Sequence, residues 1–332
     1  MTEKEKLELL LGEVSRTFAP TIPLLDVPLR WAVMISYLLF RIADTIEDAA
    51  HWSKETRLML LSRLAAVIQH SESPIEFVNL LPNEQWVKNP ADLEVLRETP
   101  FIIGELNKLS PEHRQIITNH VLRFIEEIKG WVERYDADNQ LHLISLWQLT
   151  DYCHTAAGIV GEMLTSLFAS HSAYIDDEIL CHLRSLELDF ADSLQLINII
   201  KDYFKDRQEG RFFIPPAFCP EKVGDFYRII PLVHYTFQRL GAACRYVECL
   251  PVEEIGIRRF CLVPIVLATA TLDFLLKNKE EFFAGNGVKI SRETVAALII
   301  QAKQAAGDNQ QVRQLFDRLT APLNFSKEVN QR

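Results

Sequence analysis

The sequence contains little glycine and proline, 12 and 15 residues among 332. These residues interrupt regular structure most strongly, so their scarcity favours helices. Apolar residues recur at helical spacing along the chain, and no segment alternates convincingly with a period of two. We therefore predict an all-α fold, a helical bundle.

The sequence also lacks an excess of positive charge. Its formal net charge of -10 argues against non-specific binding to nucleic acid or an anionic membrane, because these partners need a basic face. A phosphorylated substrate remains compatible, since a bound metal can reverse the local sign of the field. The six cysteines form no CxxC pair, as expected of free thiols in a reducing cytoplasm.

Signals for secretion or membrane insertion are missing. The first residues mix charges of both signs with leucine, unlike a signal peptide. The longest largely apolar stretch, Phe260 to Leu272, contains Pro264 and is shorter than the roughly 20 residues of a membrane span. We expect a soluble, cytoplasmic protein without a transmembrane segment.

Proline and mixed polarity interrupt the helical pattern most between residues 72 and 99. Short helices joined by loops explain such a pattern, and a domain boundary would fit there. However, the polar motifs described below lie on both sides of this segment and need each other. We therefore predict one domain over residues 1–332, with residues 72–99 as a peripheral excursion.

A first polar stripe interrupts an otherwise apolar helix. Its members, at intervals of four, three and four, are Tyr37, Arg41, Asp44 and Asp48, with Glu47 beside them. Those intervals return to one face of an α-helix. Because a buried carboxylate needs compensation, a buried ion pair between Arg41 and Asp44 and a metal site explain this helix about equally well.

A second stripe follows the same rule. Gln195, Asn198, Asp202 and Asp206 are spaced by three, four and four residues, and apolar residues fill the other directions. Carboxylates four residues apart lie about one helical turn apart, so they can chelate a hard cation. Mg²⁺ typically bridges a few carboxylates to substrate phosphates. The two stripes together favour an enzyme that clamps Mg²⁺ on a diphosphate.

Two other interpretations have to be weighed. A di-iron centre needs two Glu-x-x-His motifs, and the nearest candidate is the single pair Asp151 and His154. A non-catalytic helical scaffold, whose acidic helices only pair with arginines, belongs to another functional class and stays open here. Binding of Mg²⁺ with a diphosphate analogue separates the scaffold from the enzyme.

Five segments resemble the squalene and phytoene synthase family of head-to-head prenyl-coupling enzymes. The resemblance covers most of the chain and includes the family's two metal-binding motifs, DxxED and NxxxDxxxD. It implies a class I isoprenoid synthase bundle around a central apolar cavity. The segments are SRTF (Ser15 to Phe18), YLLFRIADTIED (Tyr37 to Asp48), DYCHTAAGIVGEMLTSLF (Asp151 to Phe168), LQLINIIKDYFKDRQEGRFFIP (Leu194 to Pro215) and FCLVPIVLATATL (Phe260 to Leu272).

The resemblance implies roles for individual residues. The catalytic residues would be Tyr152, which resembles the tyrosine near the first proton transfer, and Asp44, Asp48, Asp202 and Asp206. The metal ligands would be Asp44, Glu47, Asp48, Asn198, Asp202 and Asp206. The substrate-binding residues would be Ser15, Arg16, Phe18, Tyr37, Arg41, Gln195, Asn198, Arg211 and Phe260.

The implied reaction joins two molecules of farnesyl diphosphate with Mg²⁺, through presqualene diphosphate, to squalene, a sterol or hopanoid precursor. NADPH would supply a hydride, and the basic segment VKISR, with Lys289 and Arg292, resembles the one that binds its phosphate. DYCHTAAGIVG and NIIKDYFKDRQEGR resemble the squalene-forming branch. A non-reductive synthase that makes dehydrosqualene, hydroxysqualene or phytoene is the alternative.

The sequence departs from the family pattern at a few points. Ala49 follows the first motif where another acid is common, and Lys201 stands where arginine is usual. The C-terminal hydrophobic anchor of eukaryotic members is missing, which implies a bacterial-type or trimmed enzyme. We expect a monomer, with at most a peripheral membrane contact for release of the oily product.

Overall fold

The computed structural model of the chain describes residues 2–15, 17–49, 51–82, 89–285 and 287–321. The chain divides into two compact units, Met1–Asn139 with Ser166–His171, and Gln140–Thr165 with Ser172–Arg332. Helices make up nearly all the regular structure of the described residues. The predicted all-α fold is confirmed, whereas a single domain around a central apolar cavity stays a prediction.

The first unit is organised around one long apolar helix. Its helices are α1 (Glu3–Val14), α2 (Leu29–Asp48), α3 (Lys54–Ile68), α4 (Pro74–Asn79), α5 (Pro90–Arg97), α6 (Thr99–Leu106) and α7 (Pro111–Glu133). α2 packs against α1, α3, α5, α6 and α7, as its many buried aliphatic residues require. The segment predicted as short helices and loops contains α4 and α5, and residues 83–88 lie outside the described residues.

The second unit holds the remaining elements. Its α-helices are α8 (Leu146–Cys153), α9 (Ile159–His171, whose end belongs to the first unit), α10 (Asp177–Arg184), α11 (Glu187–Lys201), α12 (Tyr203–Gln208), α13 (Ile230–Cys249), α14 (Ile255–Lys277), α15 (Lys279–Phe283), α16 (Arg292–Ala305) and α17 (Asn309–Thr320). A π-helical turn, His154–Gly158, joins α8 to α9. Two short strands, β1 (Leu141–His142) and β2 (Arg211–Phe212), pair in parallel.

α14 forms the core of the second unit. It packs against α11, α13, α16 and α17, and most of its side chains are buried. By length and composition it is the one helix in the described part of the chain that could cross a membrane. However, 61% of its most apolar segment is buried within the structure. Core helices of soluble proteins share this length and composition.

A buried arginine ties together three helix ends around α14. Arg258 is fully buried, and its guanidinium donates to the carbonyls of Val247 and Leu250 at the end of α13 and of Ala306 after α16. It also donates to Asn309 at the start of α17. Carbonyls at helix ends lack intrahelical donors, so Arg258 supplies the hydrogen bonds that water cannot.

We expect Arg258→Met to lower the free energy of unfolding by about 3 kcal/mol, because it removes the donor to the Leu250 and Ala306 carbonyls. The matched control is Arg259→Met, since Arg259 is partly exposed and donates to the Lys303 carbonyl; its loss should cost about 1 kcal/mol or less. Urea unfolding of both variants measures the difference, and equal losses would refute this role of Arg258.

Candidate active site

α2 carries the first polar stripe on a face that packing leaves partly open. Tyr37, Arg41, Asp44 and Asp48 are partly exposed, whereas the residues between them are buried. Glu47 belongs to the buried set, with 1% of its surface exposed. One carboxylate oxygen from each of Asp44, Glu47 and Asp48 lies within 4.8 Å of the other two. The structure therefore brings together the three predicted ligands of the first motif.

Arg41 balances part of this negative charge. Its Nη1 donates to Oδ2 of Asp44 and its Nε to Oδ1 of Asp92, each over 3.0 Å. The ion pair that the sequence allowed is thus present, but it occupies one oxygen of Asp44, whose side chain stays 42% exposed. A metal on the same carboxylate is therefore compatible with the pair. Asp92, on α5, was not predicted, because it lies outside both stripes and all five resembling segments.

Three predicted substrate-binding residues lie close to one another. Ser15 is buried, and its Oγ accepts a hydrogen bond of 2.9 Å from the Phe18 amide. The Phe18 ring lies 5.7 Å from the Tyr37 ring. Burial raises the pKa of Tyr37, which Ser15 and Arg41 partly oppose, so Tyr37 is a neutral hydroxyl. Arg16, the other residue predicted here, lies outside the described residues.

The second stripe meets a helix break. α11 ends at Lys201 and α12 begins at Tyr203, with Asp202 as the cap between them. The backbone amide of Asp206 still bonds to the Asp202 carbonyl over 2.9 Å, so the two aspartates remain one turn apart. Earlier on α11, Gln195 is partly exposed and Asn198 is exposed.

Cations neighbour both aspartates of the second stripe, Asp202 and Asp206. The Lys201 ammonium pairs with Asp202, and Arg211 pairs with Asp206 over 3.0 Å and with Glu209. Burial, together with the charge of Asp202, raises the pKa of Asp206 to about 8. Such a carboxylate is stabilised in its charged form by a cation, and oxygen donors of this kind fit Mg²⁺.

The segment VKISR reaches the helix break from a distant part of the sequence. The Val288 amide donates to the Lys201 carbonyl over 3.1 Å. Gly287, the residue before Val288, has a positive φ of 71°. A Cβ on Gly287 would lie 2.4 Å from Oδ1 of Asp202. Glycine is therefore needed for the close approach. Lys289 and Arg292, predicted to bind NADPH phosphate, are exposed nearby along the chain.

The predicted tyrosine and phenylalanine of the reaction are both buried. Tyr152 lies in the last turn of α8, one residue before the helix ends at Cys153, and its ring lies 4.6 Å from that of Phe213. π turns inside helices occur frequently at functional sites. Phe260 lies in α14 with 2% of its surface exposed.

Asp192 extends the second stripe by one turn and was not predicted. It lies three residues before Gln195 on α11 and is 4% exposed. Its Oδ2 accepts from Arg239 over 3.4 Å, and its Oδ1 has no hydrogen-bond partner among the described residues. A Cβ at Gly158 would lie 3.1 Å from that Oδ1, so this glycine of the π turn permits close packing on α11.

The fold and the sites define an all-α protein with one cluster of three carboxylates in its first unit and a second aspartate pair in its other unit. The sequence model of the squalene/phytoene synthase family matches residues 11–294 of this chain. The chain belongs to the squalene/phytoene synthase family.

The chain is also similar in sequence to relatives that are named squalene synthase. The chain is 31% identical to squalene synthase of Yarrowia lipolytica over an alignment of 319 residues. This alignment covers 92% of this chain and 68% of that relative. Squalene synthase of Mus musculus is 29% identical over 88% of this chain and 68% of its own length. The solved structure of TcSQS with the ligand BPH1237 has a TM-score of 0.78 at 23% identity and covers 97% of this chain and 91% of that one, so it shares the fold.

We expect Gly287→Ala to weaken Mg²⁺ binding, because the added Cβ displaces the Asp202 carboxylate. The matched control is Gly285→Ala, at a φ of 80°, where a Cβ meets a flexible glutamine amide at 3.4 Å and the Phe204 Cβ at an ordinary contact distance of 3.9 Å. Both variants should lose about 1 kcal/mol of stability through left-handed strain, measured by urea unfolding. Mg²⁺ titration should separate them, and equal affinities would show that Gly287 does not set the position of Asp202.

Asp192 should make the stability of the protein depend on pH. Burial raises its pKa from 3.8 to about 7, partly opposed by Arg239. Between these values the folded state keeps a proton that the unfolded state loses, so stability falls as pH rises, by up to about 1.4 kcal/mol per pH unit. We expect Asp192→Asn to flatten this fall between pH 5 and 7 in urea unfolding curves. An unchanged slope would contradict the assignment.

Proposed function

We propose that this protein condenses two molecules of farnesyl diphosphate head to head into squalene, as a farnesyltransferase. The observation that carries the proposal is the cluster of Asp44, Glu47 and Asp48 in a family member whose relatives are named squalene synthase. The reaction releases two diphosphates and one proton and adds one hydride. Its first half forms presqualene diphosphate, and its second half opens the cyclopropane ring.

Mg²⁺ fits the carboxylates of both units, since their donor atoms are the oxygens that this ion prefers. Its holders would be Asp44, Glu47 and Asp48 in the first unit, and Asn198, Asp202 and Asp206 in the second. When bound, Mg²⁺ supplies charge compensation for a leaving diphosphate. Arg41, Lys201 and Arg211 already lie against these carboxylates, so their cationic groups can bind diphosphate oxygens directly.

The apolar side chains protect the carbocations of such a reaction. Tyr152 and Phe260 are buried, and aromatic faces stabilise positive charge while apolar walls exclude water. We propose that the Tyr152 hydroxyl takes part in removing the proton during the first half-reaction. Ser15, Phe18, Tyr37 and Gln195 would position the substrate.

NADPH is the proposed source of the hydride. Lys289 and Arg292 are exposed cations that suit the phosphate of this cofactor. The neighbouring Val288 amide donates to the carbonyl of Lys201, the residue before Asp202. We further propose that the enzyme acts in the cytoplasm. A non-reductive synthase, with dehydrosqualene, hydroxysqualene or phytoene as product, is the second candidate, because the aspartates serve either reaction equally.

Labelled farnesyl diphosphate, incubated with the protein and Mg²⁺ with and without NADPH, tests the product. We expect a hydrocarbon of squalene mass only when both Mg²⁺ and NADPH are present, and presqualene diphosphate to accumulate when NADPH is left out. EDTA should abolish consumption of the substrate. The squalene assignment fails if the product with NADPH has any other mass.

The two acidic sites are tested separately by Asp44→Asn and Asp202→Asn. We expect each to reduce turnover by at least about a thousandfold, since each removes a charge that holds the leaving group. Because both side chains are partly exposed, the melting temperature should change little. The control is Asp26→Asn, at an exposed position. Unfolding of both site variants would favour a structural ion-pair scaffold instead.

A further inference from the structure

One member of the first carboxylate cluster is held by a tyrosine that lies far away in the sequence. The Tyr135 hydroxyl donates to Oε1 of Glu47 over 2.9 Å. Tyr135 is 3% exposed and Glu47 is 1% exposed, so water does not compete freely for this hydrogen bond. Asp44 and Asp48, by contrast, are partly exposed.

A buried arginine fixes this tyrosine. Arg57 is fully buried, and its guanidinium lies 4.3 Å from the centre of the Tyr135 ring. Its Nη1 also donates to the backbone carbonyl of Glu47 over 2.9 Å, and its Nη2 to the Asn139 side chain. Arg57 therefore holds both the tyrosine ring and the last turn of α2, which carries Glu47.

The backbone of Tyr135 is held as well. The Lys54 ammonium, at the start of α3, donates to the Tyr135 carbonyl and to the Glu133 carbonyl at the end of α7. Both ends of the tyrosine are thus fixed, its ring by Arg57 and its backbone by Lys54. A hydrogen bond from a fixed donor selects one orientation of a carboxylate, and with it the direction of the second oxygen.

We propose that Tyr135 is a positioning residue for the divalent cation of the first cluster, and that Arg57 acts through it. The inference rests on the proposed function, because it takes Glu47 to be a ligand of that cation. Tyr135 touches neither substrate nor metal in this role. It fixes the Glu47 carboxylate before the cation arrives, which lowers the cost of assembling the site.

The test measures Mn²⁺ binding by the 332-residue chain. Electron paramagnetic resonance detects the binding, at a temperature well below the melting temperature. Mn²⁺ accepts the same carboxylate oxygens as Mg²⁺. Tyr135→Phe keeps the ring and removes the donor, so we expect about tenfold weaker binding at the sites that Glu47→Gln also weakens. The matched control, Tyr174→Phe at a tyrosine that is 57% exposed, should bind as the unaltered protein does.

A double-mutant cycle separates positioning from a general structural role. In the Glu47→Gln background, Tyr135→Phe should have much less effect on Mn²⁺ affinity, because the carboxylate that it positions is already gone. In activity assays, the Mg²⁺ concentration for half-maximal rate should rise about tenfold, with a smaller change in kcat. Arg57→Lys should shift affinity in the same direction.

The outcomes are distinguishable. If the unaltered protein binds Mn²⁺ and makes squalene, but Tyr135→Phe binds Mn²⁺ with the same affinity, the positioning inference is wrong and the proposed function stands. A lower melting temperature with unchanged affinity has the same meaning, since Tyr135 would then be structural only. If the unaltered protein binds no Mn²⁺ at the first cluster, the proposed function and this inference both fail.

Discussion

Carboxylates set into apolar helices are unstable unless positive charge or hydrogen bonds compensate them, and this constraint organises both units. In the first unit Arg41 binds Asp44 and Asp92, and Tyr135 donates to Glu47. In the second unit Lys201 and Arg211 lie against the aspartates. These side chains therefore hold the acidic groups in place.

Compensation by these side chains is incomplete, and the remaining negative charge has functional meaning. Asp44 and Asp48 stay partly exposed, and three oxygens of the first cluster lie within 4.8 Å of one another. Carboxylates crowded in this way bind hard divalent cations, which in turn bind phosphate oxygens. The family to which the chain belongs uses prenyl diphosphates, so the unbalanced charge and the substrate class agree.

The sequence predicted the parts of the site that depend on local periodicity. The α2 stripe at Tyr37, Arg41, Asp44 and Asp48 matches the partly exposed face, because helical spacing alone decides which side chains share a face. The break at Asp202 was not predicted, since helical hydrogen bonding continues across it. Asp92 and Tyr135 were also missed, because contacts between segments far apart in the sequence leave no local pattern. The position of VKISR beside Asp202 likewise depends on folding of the chain.

We propose that the carboxylates bind a divalent cation that in turn binds diphosphate. Isothermal titration with a non-reactive thio-analogue of farnesyl diphosphate, with Mg²⁺ and then with EDTA, tests it most directly. We expect micromolar binding of the analogue in Mg²⁺ and at least about a hundredfold weaker binding in EDTA, a difference of roughly 2.7 kcal/mol. Equal affinity under both conditions, or no binding in Mg²⁺, would contradict it.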